Sequence, residues 1–199
     1  NFLDNGYDLK SVIRTICNSR TYQLESKGGR RGKAPDDQPL FEKMPLRRMT
    51  AEQTYDSILL TCGRLGDEKG RQKPAIESRY PAPPESFLAT FGSHDRQTIH
   101  ERDADMTIPQ ALELLNGRFV NQAITVDANH PVRAWVKAGD APTVVARKLF
   151  MQTLTREPTE AEMAAVLEHV GHLQGDPAWA AWADIHWALV NTREFAFIR

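Results

Sequence analysis

The chain has 199 residues, 41% of them hydrophobic, and its 25 Lys and Arg residues against 26 Asp and Glu residues give a net charge of −1. This balance provides no general attraction to nucleic acid or to an anionic membrane, and the apolar runs fall short of the roughly 20 residues that a membrane span needs. We therefore expect one sizeable hydrophobic core, no nucleic-acid partner and no membrane span.

The start of the chain and its cysteines bear on domain organisation. The first residue is Asn1 rather than Met, and a helical pattern begins soon after it. We expect a single helical domain over residues 1–199 that is the C-terminal piece of a larger multidomain protein. Cys17 and Cys62 are too few for a disulfide framework or a zinc site, and the sequence leaves open whether they pair.

The first predicted helix is capped by the carboxylate of Asp8 and shows apolar residues at the helical interval. We expect this apolar face to be buried. A polar loop with several glycines and prolines follows over residues 27–46. The apolar positions are Leu9, Val12, Ile13, Ile16 and Cys17.

A second helix begins after Thr50, which with Gln53 has the spacing of a capping box. Its apolar stripe includes Ile58, Leu59 and Cys62. A second polar, proline-bearing loop over residues 66–84 then leads to a short helix over 86–91.

The second half of the chain is denser in helix signals. Two more capping-box spacings, at Thr107 with Gln110 and at Thr159 with Glu162, open apolar runs, and Asp140 is expected to cap the run "APTVVARKLFMQTL". Period-two alternation of the kind typical of strands is not evident. The predicted fold class is all-α, an irregular multi-helix bundle with two long loops in its first half.

The segment "SHDRQTIHERDAD", residues 93–105, concentrates titratable side chains and is the candidate catalytic loop. Histidines beside carboxylates can act as general acids and bases, although the segment contains no serine or cysteine in a recognisable nucleophile motif. An ion-paired structural loop is the favoured alternative. The catalytic candidates are His94, His100, Glu101 and Asp103, and Arg96 and Arg102 are binding candidates.

His169 and His172 are three residues apart on a predicted helix, a spacing that permits a shared metal ion. The helix is amphipathic, so a polar rim is favoured, and we expect no metal and no cofactor. His186 is interpreted as a partly buried histidine with one satisfied nitrogen.

Aromatic residues recur in the last long helical segment. Trp179, Trp182 and His186 lie on one helical face, which favours core packing and leaves a saccharide platform as the alternative. Trp187 is expected to be buried against the first helix or against the helix over residues 141–154. A basic cluster in the first loop is interpreted as solvated rather than phosphate-binding: Lys27, Arg30, Arg31 and Lys33.

Six ordered segments carry a family resemblance that covers nearly the whole chain. They are "RTICNSRTYQ", "RRMTAEQTYDSI", "FLATFG", "PQALELLNG", "LFMQTLTREPTEAEM" and "WALVNTREFAF". Together they resemble the planctomycete-type C-terminal domain of unknown function, which is found in large exported proteins behind a partner domain of unknown function and often a cytochrome-c-like module. Family members commonly carry "C-E-C-E-R-S-S" where this chain reads "HERDADMT", which keeps only Glu101 and Arg102, so the resemblance gives no ground for a cysteine-based redox or metal role here.

The resemblance implies a periplasmic or cell-envelope location and the preceding domains of the same polypeptide as partners. We expect a non-catalytic docking or scaffold domain in a system for polysaccharide breakdown or electron transfer, and part of a hydrolytic enzyme is the alternative. The segment "NSRTYQ" suggests a helix exit in which Tyr22 folds back on the core. Arg20, Tyr22 and Gln23 are further binding candidates, because they lie beside a rigid helix end.

Overall fold

The computed structural model describes residues 2–3, 5–24, 47–66, 70–77, 82–83, 85–92, 107–171 and 173–198. The chain divides into two units, Asn1–Arg47 with Phe197–Arg199 and Arg48–Ala196. A single domain over residues 1–199 stays a prediction.

The described residues form a helical fold with one small sheet, and the predicted all-α class is confirmed. The first loop, 27–46, lies wholly outside the described residues, and the second contains a one-turn 3-10 helix, Ala75–Glu77. The helices are α1 Leu9–Cys17, α2 Ala51–Thr61, α3 Phe87–Thr90, α4 Ile108–Asn116, α5 Arg118–Ile124, α6 Pro131–Lys137, α7 Pro142–Leu154, α8 Glu160–Val170, α9 Asp176–Val190 and α10 Arg193–Ala196. Two paired strands of two residues each are β1 Arg47–Arg48 and β2 Phe197–Ile198.

Helix α1 lies in the first unit and begins as predicted, because Asp8 accepts a hydrogen bond from the backbone N–H of Lys10 at 2.9 Å. The prediction that its apolar face is buried is wrong. Leu9, Ile13 and Ile16 are 67%, 59% and 52% exposed. Helical periodicity places apolar side chains on one side of a helix, but it does not supply a partner for that side.

The core of the second unit joins α2, α5, α7 and α9. Ile58, Leu59, Val120, Val145 and Leu149 are almost fully buried. The predicted stripe of α2 is therefore confirmed, and α5, α7 and α8 all pack against α9.

A cluster of aromatic rings extends this core. Tyr55 of α2 stacks on Phe119 of α5 with ring centroids 4.6 Å apart, and Phe87 of α3 stacks on Phe91 at 4.3 Å. The short helix predicted over residues 86–91 thus forms and contributes its rings to the core.

Local caps fix where the helices of the second unit begin. The capping boxes of Thr50 with Gln53 and of Thr159 with Glu162 are both formed. The predicted cap of α7 by Asp140 is wrong, because Ala141 occupies the N-cap position and the Asp140 carboxylate pairs with Lys148 instead.

Trp187 is only partly buried, so the prediction that its side chain is buried against the first helix or against the helix over residues 141–154 is wrong. Its indole N–H donates to the carbonyl of Leu115, at the end of α4, at 3.0 Å. A polar ring atom that binds the end of a neighbouring helix keeps the indole at the edge of the core rather than inside it.

Candidate functional site

The predicted catalytic loop, residues 93–105, lies outside the described residues. His94, His100, Glu101 and Asp103, together with the binding candidates Arg96 and Arg102, lie outside the described residues. Their roles stay predictions.

The end of α1 is organised by Gln23. Its side-chain amide donates to the carbonyl of Cys17 at 2.6 Å and so satisfies an acceptor of the last helical turn. Ser19 Oγ accepts from the backbone N–H of Tyr22 at 3.2 Å. Tyr22 itself is 46% exposed, so the prediction that it folds back on the core is wrong, and Arg20 is exposed beside it.

The predicted histidine pair of α8 is only half described. His169 Nε2 lies 3.3 Å from Asp184 Oδ2 on α9, whereas His172 lies outside the described residues. The aromatic stripe of α9 belongs mainly to the core, because Trp182 is 2% exposed and Trp179 is half-buried under the guanidinium of Arg133, 4.5 Å from its ring. The interpretation of this stripe as core is therefore confirmed for Trp182.

The chemically most distinctive place in the second unit is a buried cluster of Cys62, His130 and His186. Cys62 is the C-cap of α2, His130 is the N-cap of α6, and His186 lies in the middle of α9. Their exposed fractions are 0%, 1% and 0%. One ligand-type atom of each lies within 4.8 Å of the others, which is the only such group of three His, Cys, Asp or Glu side chains among the described residues.

Hydrogen bonds run through this cluster in one direction. The backbone N–H of Val132 donates to His130 Nδ1 at 3.3 Å, which leaves the proton of that ring on Nε2. His130 Nε2 donates to His186 Nδ1 at 3.1 Å, and His186 Nε2 donates to Thr61 Oγ1 at 3.2 Å. The Thr61 hydroxyl then donates to the carbonyl of Ile58 at 3.0 Å. This order assigns both rings as neutral, with the proton on Nε2.

The electrostatics of the cluster agree with neutral side chains. Burial, and then the Arg64 guanidinium, lower the pKa of His130 to about 4. Burial, and then His130, lower the pKa of His186 to about 3. Burial also raises the pKa of the Cys62 thiol to about 12. A buried site strongly disfavours unpaired charge, so the cluster is neutral near pH 7.

Arg64 positions the turn that carries His130. Its guanidinium donates to the carbonyls of Ala123 at 2.7 Å and Thr125 at 2.8 Å, and it pairs with Asp127 at 3.0 Å. The backbone carbonyl of Asp127 in turn accepts a hydrogen bond from the backbone N–H of His130 at 3.1 Å. Asp127 therefore connects Arg64, through its carboxylate, with His130, through its backbone carbonyl.

From the sequence, Cys62 and His186 were each expected in an apolar environment. Their contact with each other and with His130 was not predicted. Cys62 was expected on a buried face, as found, and both cysteines are free thiols in the part of the chain that is described. His186 was expected to be partly buried with one bonded nitrogen, whereas it is fully buried with both nitrogens bonded. For His130, the sequence offered one indication of its position, the pair "HP", in which a polar residue suited to the N-cap precedes a proline that opens a helix.

The described surface also carries two apolar helix faces. On α4, the residues Ile108, Leu112 and Leu115 are 78%, 53% and 39% exposed, and their spacing puts them on one side, which we call the α4 stripe. The opposite side of the same helix buries Leu114. Leu9, Ile13 and Ile16 form an equivalent α1 stripe with the same spacing.

Helix α4 is held firmly behind its stripe. Gln110 Oε1 accepts from the backbone N–H of Thr107 at 3.2 Å, and its amide donates to the carbonyl of Thr90 on α3 at 3.3 Å. These hydrogen bonds connect the start of α4 to α3.

None of the helices in the described ranges is long and apolar enough to cross a membrane. Comparison with curated proteins and with solved structures gives no match. The model of one family, PSD1, described as a protein of unknown function (DUF1553), matches residues 1–170. That match covers most of the chain, which therefore belongs to the PSD1 (DUF1553) family.

Proposed function

We propose that this PSD1 domain is a non-catalytic docking or scaffold module of an exported multidomain protein, and that it binds other domains of the same polypeptide. The observation that carries the proposal is the α4 stripe. A helix that buries one face and exposes three large aliphatic side chains on the other is unusual for a surface helix, and such patches mark interaction sites.

The spacing of the stripe indicates the kind of contact. Ile108, Leu112 and Leu115 follow the i, i+4, i+7 pattern by which one helix packs along another or lies in an apolar groove. We infer that the partner surface is the apolar face of a helix or groove in a neighbouring domain. The resemblance to planctomycete-type proteins supports this choice of partner, along with a periplasmic or cell-envelope location and a role in polysaccharide breakdown or electron transfer.

The test measures binding between this chain and the other domains of its polypeptide, produced separately, by isothermal titration calorimetry. Leu112→Glu places a charge in the centre of the α4 stripe, and we expect it to weaken binding at least about tenfold, the effect of losing one interface anchor. Leu60→Glu is the matched control, since Leu60 is 61% exposed on α2 and lies outside the stripe. Circular dichroism and the unfolding midpoint establish that both variants are folded.

Three outcomes argue against the proposal. The first is equal binding by Leu112→Glu and the unmodified chain. The second is a dimer of the chain alone, seen by light scattering and removed by Leu112→Glu, which makes a second copy the partner. The third is hydrolysis of a saccharide that His100→Ala abolishes, which supports the enzyme alternative.

A further inference from the structure

We propose that Cys62, His130 and His186 are the protein ligands of a mononuclear copper(I) site. The three residues come from three separate elements, are fully buried, and offer one ligand atom each within 4.8 Å of the others. A thiolate with two imidazoles is a ligand set that suits copper among the first-row metals.

Charge favours the monovalent ion. Cys62 binds a metal as the thiolate, so Cu⁺ makes the site neutral overall, whereas Zn²⁺ leaves a net positive charge in a place closed to water. Three ligands also complete a trigonal Cu⁺ site, while zinc takes four. The charge of the buried site and the number of its ligands therefore both favour Cu⁺.

The spacing of the ligand atoms is close to what coordination needs. His130 Nε2 and His186 Nδ1 are 3.1 Å apart, and two nitrogens bound to one metal are separated by about 3.4 Å. A bound sulfur lies about 3.6 Å from such a nitrogen. Cys62 Sγ lies within 4.8 Å of one ring nitrogen of each histidine, so it is at most about 1.2 Å beyond a bonding separation.

The contacts of the two rings show how the protons rearrange. His186 already donates Nε2–H to Thr61 Oγ1, an arrangement that orients a metal-bound imidazole and leaves Nδ1 unprotonated, as a metal ligand requires. Binding at His130 Nε2 moves the ring proton to Nδ1 and breaks the 3.3 Å hydrogen bond from Val132. Cys62 releases its thiol proton to solvent as the Cu–S bond forms, and no electron is transferred. One long hydrogen bond and the contact between the rings are thus exchanged for three coordination bonds.

The experiment loads copper during refolding, because the ligands are buried. The intact chain is unfolded in urea with a chelator, refolded without oxygen in the presence of Cu⁺, and equilibrated against bicinchoninate as a competing Cu⁺ ligand. We expect one copper per chain. Cys62→Ser should weaken binding at least about a hundredfold, since the loss of a second-shell partner alone costs about 10–100-fold. Cys17→Ser is the matched control and should bind as the unmodified chain does.

X-ray absorption of the copper-loaded, unmodified chain provides a measurement that needs no variant. We expect one sulfur and two nitrogen neighbours around copper. Copper that Cys62→Ser retains, copper that Cys17→Ser loses, or a chain that takes up stoichiometric zinc in preference to copper would each overturn the proposal. A refolded chain that bicinchoninate strips completely would also overturn it and would leave the two histidines as a hydrogen-bonded pair.

Discussion

At the scale of single residues, Arg64 stabilises the second unit through polar contacts rather than apolar packing. Its guanidinium binds two carbonyls at the end of α5 and the carboxylate of Asp127. The carbonyls at a helix C-terminus have no partners within the helix, so a cation placed there supplies both hydrogen bonds and a favourable interaction with the helix dipole. Arg64 therefore acts as a C-cap provided from elsewhere in the chain.

Arg64→Met is expected to lower the free energy of unfolding by about 1–3 kcal/mol, because it leaves acceptors of α5 without a donor. Urea denaturation followed by circular dichroism measures the change. Arg147→Met is the control, since the Arg147–Glu157 pair at 3.6 Å is largely exposed and such pairs contribute little. Equal midpoints for the two variants would show that the carbonyl contacts of Arg64 do not stabilise the fold.

Trp187 gives a second prediction at this scale. Trp187→Phe keeps an aromatic ring and removes the N–H that binds Leu115, so we expect a loss of about 0.5–1 kcal/mol in the free energy of unfolding. The comparison is with Trp187→Ala, which also removes packing and should cost more. An unchanged midpoint in Trp187→Phe would mean that water replaces the Leu115 contact without loss.

At the scale of elements, the start of α8 is held by a network of charged side chains. Arg156 binds Glu162 at 2.7 Å and Glu194 of α10 at 2.9 Å, while Glu162 also closes the capping box with Thr159. Hydrogen bonds from Arg156, and then those from Thr159, lower the pKa of Glu162 from 4.5 to about 2.

This shift predicts a pH dependence with a definite sign. Because the folded-state pKa of Glu162 is depressed, its contribution to stability is complete above pH 4.5 and is lost as the pH falls towards 2. Glu162→Gln should be less stable at neutral pH and should lose less stability across this window. Urea midpoints measured at pH 6, 4.5, 3 and 2 check the difference. Parallel loss in both proteins would assign the acid sensitivity to other carboxyl groups.

Some features of the helices could be predicted from the sequence and others could not. The capping boxes of α2 and α8 were predictable, because Thr50 with Gln53 and Thr159 with Glu162 lie within one turn and involve only local hydrogen bonds. The exposure of the α1 face was not predictable, since the burial of an apolar face depends on a partner surface that no local pattern encodes. The predicted cap by Asp140 is wrong as well, since Ala141 is the N-cap of α7 and the Asp140 carboxylate pairs with Lys148.

The candidate site was predictable only in its parts. Sequence indicated an apolar environment for Cys62 and for His186, and both are buried. The meeting of His130 with His186, residues 56 apart, follows from the packing of α6 and α9 near the end of α2, and helical periodicity contains no information about contacts between helices. The loop around His94 and His100 lies outside the described residues and stays a prediction.

At the scale of the molecule, most of the buried apolar side chains that are described lie in the core of the second unit. Two adjacent leucines of α2 provide a way to measure the contribution of this core to the free energy of unfolding. Leu59 is 1% exposed and Leu60 is 61% exposed. We expect Leu59→Ala to lower the free energy of unfolding by about 2–5 kcal/mol, because it leaves a cavity, and Leu60→Ala to change it by no more than about 0.5 kcal/mol. Thermal and urea unfolding provide the measurement. Similar losses at both positions would mean that Leu60 is covered in solution.

The position of α9 in the chain has a consequence for synthesis. Helices α5, α7 and α8 all pack against α9, and His186 reaches Thr61 across 125 residues, yet α9 lies beyond the residues 1–170 that the family model matches. A ribosome makes the earlier helices first, so their apolar faces stay uncovered in the nascent chain until α9 has been synthesised. Contacts this distant in sequence form slowly, and a chain halted before α9 presents an open core that favours self-association over folding.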